Sequence, residues 1–122
     1  MLIFRPKTNT DLGEEYAEDT SALGYIAYEE SGKECGKIVF HLDGYSMEII
    51  DAVVSDGDEE TYEGLMRSAL NYCGNRNAYV AYYSAKNALN VAKMLGFEEK
   101  GDRLYGEIPF LLQGHCCKGA EQ

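Results

Sequence analysis

Leu2 and Phe4 stand two residues apart at the head of the chain, a two-residue period that predicts a short strand over residues 2–6. Thr8, Asn9 and Thr10 then offer caps ahead of Asp11 and the Glu14-Glu15 pair, which predicts one short acidic helix to about Asp19. Residues 23–28 and 37–42 are rich in β-branched and aromatic side chains and are separated by Ser31-Gly32. Asp43-Gly44 joins the second run to residues 45–54. Turn residues between such runs predict an antiparallel three-stranded meander.

Past Tyr62 the period changes. Leu65, Met66, Ala69, Leu70 and Cys73 recur at spacings of three and four, the pattern of one helical face, and Gly74 follows as a C-terminal cap. Residues 78–83 read as a strand. Ser84 is placed to cap a helix whose Ala88, Val91, Ala92 and Leu95 face inward until Gly96 stops it and Phe97 folds back. Residues 104–112 predict a further strand, and residues 113–122 a polar tail that frays. The whole is expected as one domain over residues 1–112 followed by that tail.

Length and charge narrow the function. A chain of 122 residues buries roughly two thirds of its unfolded surface and needs neither disulfide nor metal to hold a core. Eleven Lys and Arg against twenty-one Asp and Glu leave a net charge of −10, which opposes any phosphate backbone or anionic surface. Nucleic acid and membrane are therefore not expected as partners. The few apolar residues ahead of Arg5-Pro6 do not make a signal-peptide core, and no stretch approaches ~20 apolar residues, so a cytoplasmic location is expected. Cys35, Cys73, Cys116 and Cys117 have no Cys-x-x-Cys spacing and read as free thiols. His115-Cys116-Cys117 invites a metal reading with His41, but adjacent cysteines do not readily share a tetrahedral centre, and no metal is expected.

The order strand, helix, three antiparallel strands, helix, strand, helix, strand resembles the GCN5-related N-acetyltransferase (GNAT) family over nearly all of residues 2–112. Two stretches carry the likeness: residues 47–54 (MEIIDAVV) leading into the helix of Leu65-Met66, and residues 87–97 (NALNVAKMLGF). The second is similar to the family's late helix, which ends in Leu-Gly-Phe or a close variant. The resemblance implies an α+β fold, a mixed and mostly antiparallel sheet flanked by helices. It implies acyl transfer from acetyl-CoA to an amine on a small molecule or peptide by direct attack, without metal or covalent intermediate.

The same resemblance assigns residues to roles. Ala52, Val53 and Val54 on the fourth strand would hold the pantetheine arm by their backbone, with Gly64 and Ser84 completing the coenzyme site. Glu48 and Asp51 on that strand are the candidate general bases, and Tyr83 on the fifth a phenol for the leaving thiolate. Tyr79 and Tyr82 are alternatives for that phenol, although aromatic residues on strands commonly serve packing.

Several positions differ from the family pattern. The phosphate-binding turn, there glycine-rich, reads SDGDEETYEG over residues 55–64, with carboxylates at Asp56, Asp58, Glu59, Glu60 and Glu63. A like-charge pair costs about 0.5 kcal/mol at roughly 8 Å in water before screening. Ala92 and Ala85 stand near the places of the family's late Tyr and Asn, and only residues 8–22 separate the first two strands. A second reading therefore stands beside the first: a GNAT-fold binding or interaction module without acyltransferase activity, its acidic loop facing a basic partner. The same acids also complement a helix dipole. The apolar, tyrosine-rich strands leave edges suited to pairing across a two-fold axis, so a homodimer is a further expectation.

Overall fold

The computed structural model describes residues 2–113 and arranges them around a seven-stranded sheet of order β1-β2-β3-β4-β5-β7-β6. The strands are β1 (Ile3–Thr8), β2 (Leu23–Tyr28), β3 (Glu34–Asp43), β4 (Ser46–Val54), β5 (Val80–Tyr83), β6 (Glu98–Lys100) and β7 (Arg103–Glu107). Helix α1 (Glu59–Gly74) crosses from β4 to β5, α2 (Leu89–Leu95) follows β5, and α3 (Ile108–Leu111) follows β7. Among the described residues β4 and β5 run parallel and every other neighbouring pair is antiparallel. This is the mixed, mostly antiparallel α+β sheet that the family resemblance implies, with the β2–β3–β4 meander predicted from the periodicities at its centre. No helix among the described residues is long and apolar enough to cross a membrane.

The helical stripe decides where the core sits. Leu65, Met66, Ala69, Leu70 and Cys73 are fully buried against Ile38, Phe40, Met47 and Ile49 from the near face of β3 and β4. Each large side chain so buried contributes about 2 kcal/mol. Alternation along the strands sends the neighbouring residues to the far face, where Ile26 and Val39 meet Leu12 and Ala22 in a second, smaller cluster. Gly24 belongs to this packing. A Cβ there would lie 2.2 Å from the Ile38 carbonyl oxygen and 2.8 Å from a Leu12 methyl.

Several local expectations are corrected. Residues 9–19 form two 3-10 turns, Asn9–Asp11 and Glu14–Tyr16, because Gly13 between them takes φ 126° and ψ 160°, far from helical values. Ser84 does not cap α2. That helix starts at Leu89 behind Ala88, which sits in the left-handed region at φ 60° and ψ 33°. The strand expected over residues 104–112 stops at Glu107, since Pro109 cannot donate to a ladder and suits the first turn of a helix instead. The charged residues Glu98–Lys100, which carry no strand period, nonetheless pair with β7 around a Gly101-Asp102 turn. Gly74 is the last helical residue of α1 and Asn75 its cap. Gly96 does end α2, at φ 124°, and the Phe97 ring packs 5.7 Å from that of Tyr83. His115-Cys116-Cys117 lies outside the described residues.

Candidate active site

β4 and β5 pair over residues 46–49 and 80–83, and the Ser84 N–H adds one last bond to the Ile49 carbonyl at 2.8 Å. Beyond it β4 continues to Val54, while the other chain leaves the sheet as a loop over residues 84–88. The cause is a β-bulge. Phe40 pairs with Ile49 but Val39 pairs with Asp51, so Ile50 is an extra residue that bends and twists β4 away from its neighbour.

The bulge also sets the chemistry of the far face. Glu48 and Asp51 are three residues apart, and strict alternation would place them on opposite faces. With Ile50 inserted, Glu48 opposes His41 and Asp51 opposes Val39, two residues of one face of β3. Both carboxylates therefore project away from α1, beside the divergence.

Each is held by partners distant in sequence. The Ser84 hydroxyl donates to the Glu48 carboxylate. Arg103 approaches the same oxygen at 3.3 Å, with its guanidinium stacked 3.8 Å over the Tyr82 ring. His41, Asp43, Ser46, Tyr82 and Arg103 surround Glu48 in a groove of about 310 Å³. The Tyr16 hydroxyl, from the second 3-10 turn, donates to Asp51 at 3.0 Å. Burial first, and then the Asp51 hydrogen bond and charge, push the Tyr16 phenol well above its ordinary range, so it stays a donor.

Tyr83 is a core residue, 1% exposed, and its hydroxyl donates to the Asn87 carbonyl at 2.7 Å. Burial, reinforced by Tyr62 and Asp51, raises its pKa. A buried phenol already engaged in this way is a structural tie in this conformation. Ser84 lines a cleft of about 240 Å³ with Lys86, Leu89, Lys93 and Arg103. Ala52 and Val54 turn their side chains into the core and Val53 is exposed. The Ala52 carbonyl, on the open side of β4, accepts from the Asn87 side-chain amide at 3.0 Å, and the Val54 carbonyl accepts from the Gly57 N–H at 3.1 Å. Gly64 faces β1 instead of the loop: a Cβ there would come 2.3 Å from the Phe4 ring, so close helix–strand packing accounts for this glycine.

At the start of α1 the acidic turn uses its own carboxylates. Asp58 accepts from the Thr61 N–H at 3.0 Å and from the Thr61 hydroxyl at 2.8 Å, and Asp56 accepts from the Asp58 N–H at 3.0 Å. Arg103, Tyr16, Asn87 and Asn90 were not singled out by their sequence context. A single Arg on a strand, a Tyr in a polar segment and two Asn in a helical stretch carry no periodic signal of their own.

The mixed, mostly antiparallel seven-stranded sheet and its helices have the GNAT N-acetyltransferase fold. Solved structures of that class superpose closely. An N-acetyltransferase from Staphylococcus aureus matches with TM-score 0.70 at 14% identity, over 89% of this chain and 99% of that one. The GNAT-family N-acetyltransferase YhbS from Escherichia coli, solved with CoA, matches with TM-score 0.69 at 14% identity, over 93% and 85%. Spermidine N-acetyltransferase from Vibrio cholerae, solved with CoA and spermine, matches with TM-score 0.65 at 15% identity, over 85% and 76%. No family model and no curated protein sequence matches the chain.

Proposed function

We propose that the chain is an acyl-CoA-dependent N-acyltransferase that moves an acetyl group from acetyl-CoA to an amine on a small molecule or peptide. The observation that carries this reading is the divergence of β4 from β5 with Glu48 at its mouth, in a fold whose solved examples include CoA complexes. The open side of β4 fits an amide-bearing chain, because the Ala52 carbonyl there already takes an amide donor. Ala52, Val53 and Val54 would run alongside the pantetheine arm, as a strand edge takes an extended ligand. The coenzyme supplies the thioester when bound. Glu48 accepts the proton of the attacking amine, held in place by Ser84 and Arg103, and Asp51, fixed by Tyr16, offers a second carboxylate to a cationic acceptor. The far face over β4, β5 and β7 would receive that acceptor, since residues 8–22 cover the sheet only near β2, β3 and the Ile50 bulge.

One observation favours a second reading, a GNAT-fold binding module without transferase activity: the Thr61 N–H in the first turn of α1 is met by Asp58, and the N–H of Asp58 itself by Asp56, at a helix start where phosphates would otherwise be received. Calorimetry with acetyl-CoA and desulfo-CoA separates the two, because the enzyme reading requires saturable binding below ~1 mM. No binding leaves the module. Given binding, Glu48→Gln and Asp51→Asn each lower acyl transfer, and unchanged rates in both remove the base assignment. The exposed strand edges support a homodimer, which sedimentation velocity tests. The buried free thiols Cys35 and Cys73 accord with a reducing, cytoplasmic setting.

A further inference from the structure

The cleft between β4 and the loop after β5 is tied shut at two depths by side chains of the chain itself. At the inner end Asn87 is held twice: its carbonyl accepts from the buried Tyr83 hydroxyl at 2.7 Å, and its side-chain amide donates across the divergence to the Ala52 carbonyl at 3.0 Å. At the outer end Asn90, in the first turn of α2, donates to Glu59 in the first turn of α1 at 2.8 Å. Between these ties Ala88 occupies the left-handed region, φ 60° and ψ 33°, with no side-chain cap on the helix it begins. Residues with a Cβ seldom adopt that conformation unless their surroundings impose it.

We propose that Asn87 and Asn90 form an autoinhibitory latch, in which the Asn87 amide occupies the β4 hydrogen-bonding position that an acyl-CoA amide takes on entry. This rests on the acyl-CoA reading above. Both claims on the Ala52 carbonyl come from an amide N–H approaching from the open side of the strand. The latch and an arriving amide ligand therefore compete for one acceptor. Opening releases Asn87 from Ala52 and Asn90 from Glu59, and it lets Ala88 relax out of the left-handed region. The fraction of molecules already open scales the apparent affinity for coenzyme. The inner tie, partly shielded from solvent, carries more of the closure than the exposed outer one.

The test is calorimetric titration of desulfo-CoA and acetyl-CoA into the full chain and into Asn87→Ala, Asn90→Ala and Ala88→Gly, with hydrogen exchange of residues 84–89 in the free proteins. Loss of one hydrogen bond of ordinary net strength makes Asn87→Ala bind about five-fold tighter, and Asn90→Ala about two-fold. Ala88→Gly, which removes the Cβ conflict of the latched conformation, binds more weakly than the parent. Exchange over residues 84–89 quickens in Asn87→Ala, and the thermal midpoint falls by about 4 °C because the bond is lost from the free protein. Coenzyme binding by the parent with equal or weaker affinity in Asn87→Ala overturns the latch and leaves the acyl-CoA reading standing. Absence of coenzyme binding in all four proteins overturns both, and quickened exchange in that case marks Asn87 as a structural tie.

Discussion

Asp58 stands where the stability of α1 and the reception of a phosphate group pull in opposite directions. Its carboxylate takes both the N–H and the hydroxyl of Thr61, and Thr61 is 4% exposed. Asp58→Ala removes an N-cap, at about 1 kcal/mol, and leaves a buried hydroxyl without its acceptor, at about 1 kcal/mol more. Relief of repulsion from Asp56, Glu59 and Glu60 returns only a few tenths, because those side chains are solvated and screened. The net loss is about 2 kcal/mol. With about 2.1 cal/mol/K of unfolding entropy per residue, a chain of 122 residues loses about 8 °C of Tm. Asp58→Asn keeps an acceptor in the same place and melts close to the parent, since Asn caps as well as Asp. It also removes one negative charge from the turn where the coenzyme phosphates would be received, and the relieved repulsion is worth about a two-fold gain in coenzyme affinity after screening. Differential scanning calorimetry on the three proteins measures the first effect and titration with acetyl-CoA the second. An Asp58→Ala protein that melts within about 2 °C of the parent, a fraction of the expected shift, refutes the capping account. Asn and Ala variants that lose equal stability refute the role of the side-chain acceptor.

Gly24→Ala is expected to destabilise by about 3 kcal/mol or to prevent folding, because its Cβ would meet a β3 carbonyl oxygen at 2.2 Å that the ladder does not allow to move; urea unfolding measures the loss. The Asp19 carboxyl is held below its ordinary value by the Ser21 hydroxyl first and by His41 second, the latter 2.7 Å away. A depressed folded pKa means that its contribution is present above about pH 4 and is lost as pH falls through the lower folded value. Thermal midpoints of the parent and Asp19→Asn should therefore converge below about pH 4; a gap that stays constant down to the acid limit contradicts this.

Most of the frame was legible because its signals are local. The meander follows from alternation inside residues 23–54 and from turn residues at Ser31-Gly32 and Asp43-Gly44. Helix α1 follows from spacings of three and four between Leu65 and Cys73, and the stop of α2 from the glycine of Leu-Gly-Phe. The two 3-10 turns were misread because caps and acids at residues 8–15 suit a helix, while Gly13 adopts a backbone conformation that its own sequence permits but does not demand. β6 was missed for the converse reason. It is an edge strand of three charged residues, so it buries nothing that would impose a period.

The candidate site divides along the same line. Sequence by itself placed Glu48, Asp51, Ala52, Val53 and Val54 on one strand and Tyr83 at the end of the next, since strand membership depends on neighbouring residues. Tertiary structure alone decided that a bulge at Ile50 turns Glu48 and Asp51 to the same face and that Ser84 and Arg103 converge on Glu48. It also decided that Tyr83 is spent on Asn87 inside the core, and that Asn87 reaches across to Ala52. These partners lie far apart along the chain except where a loop folds back on itself. A polar side chain carries no record of which distant group will satisfy it. That choice is made when the hydrophobic faces of α1 and the sheet fix the register, and the remaining donors and acceptors pair with whatever the register brings within reach.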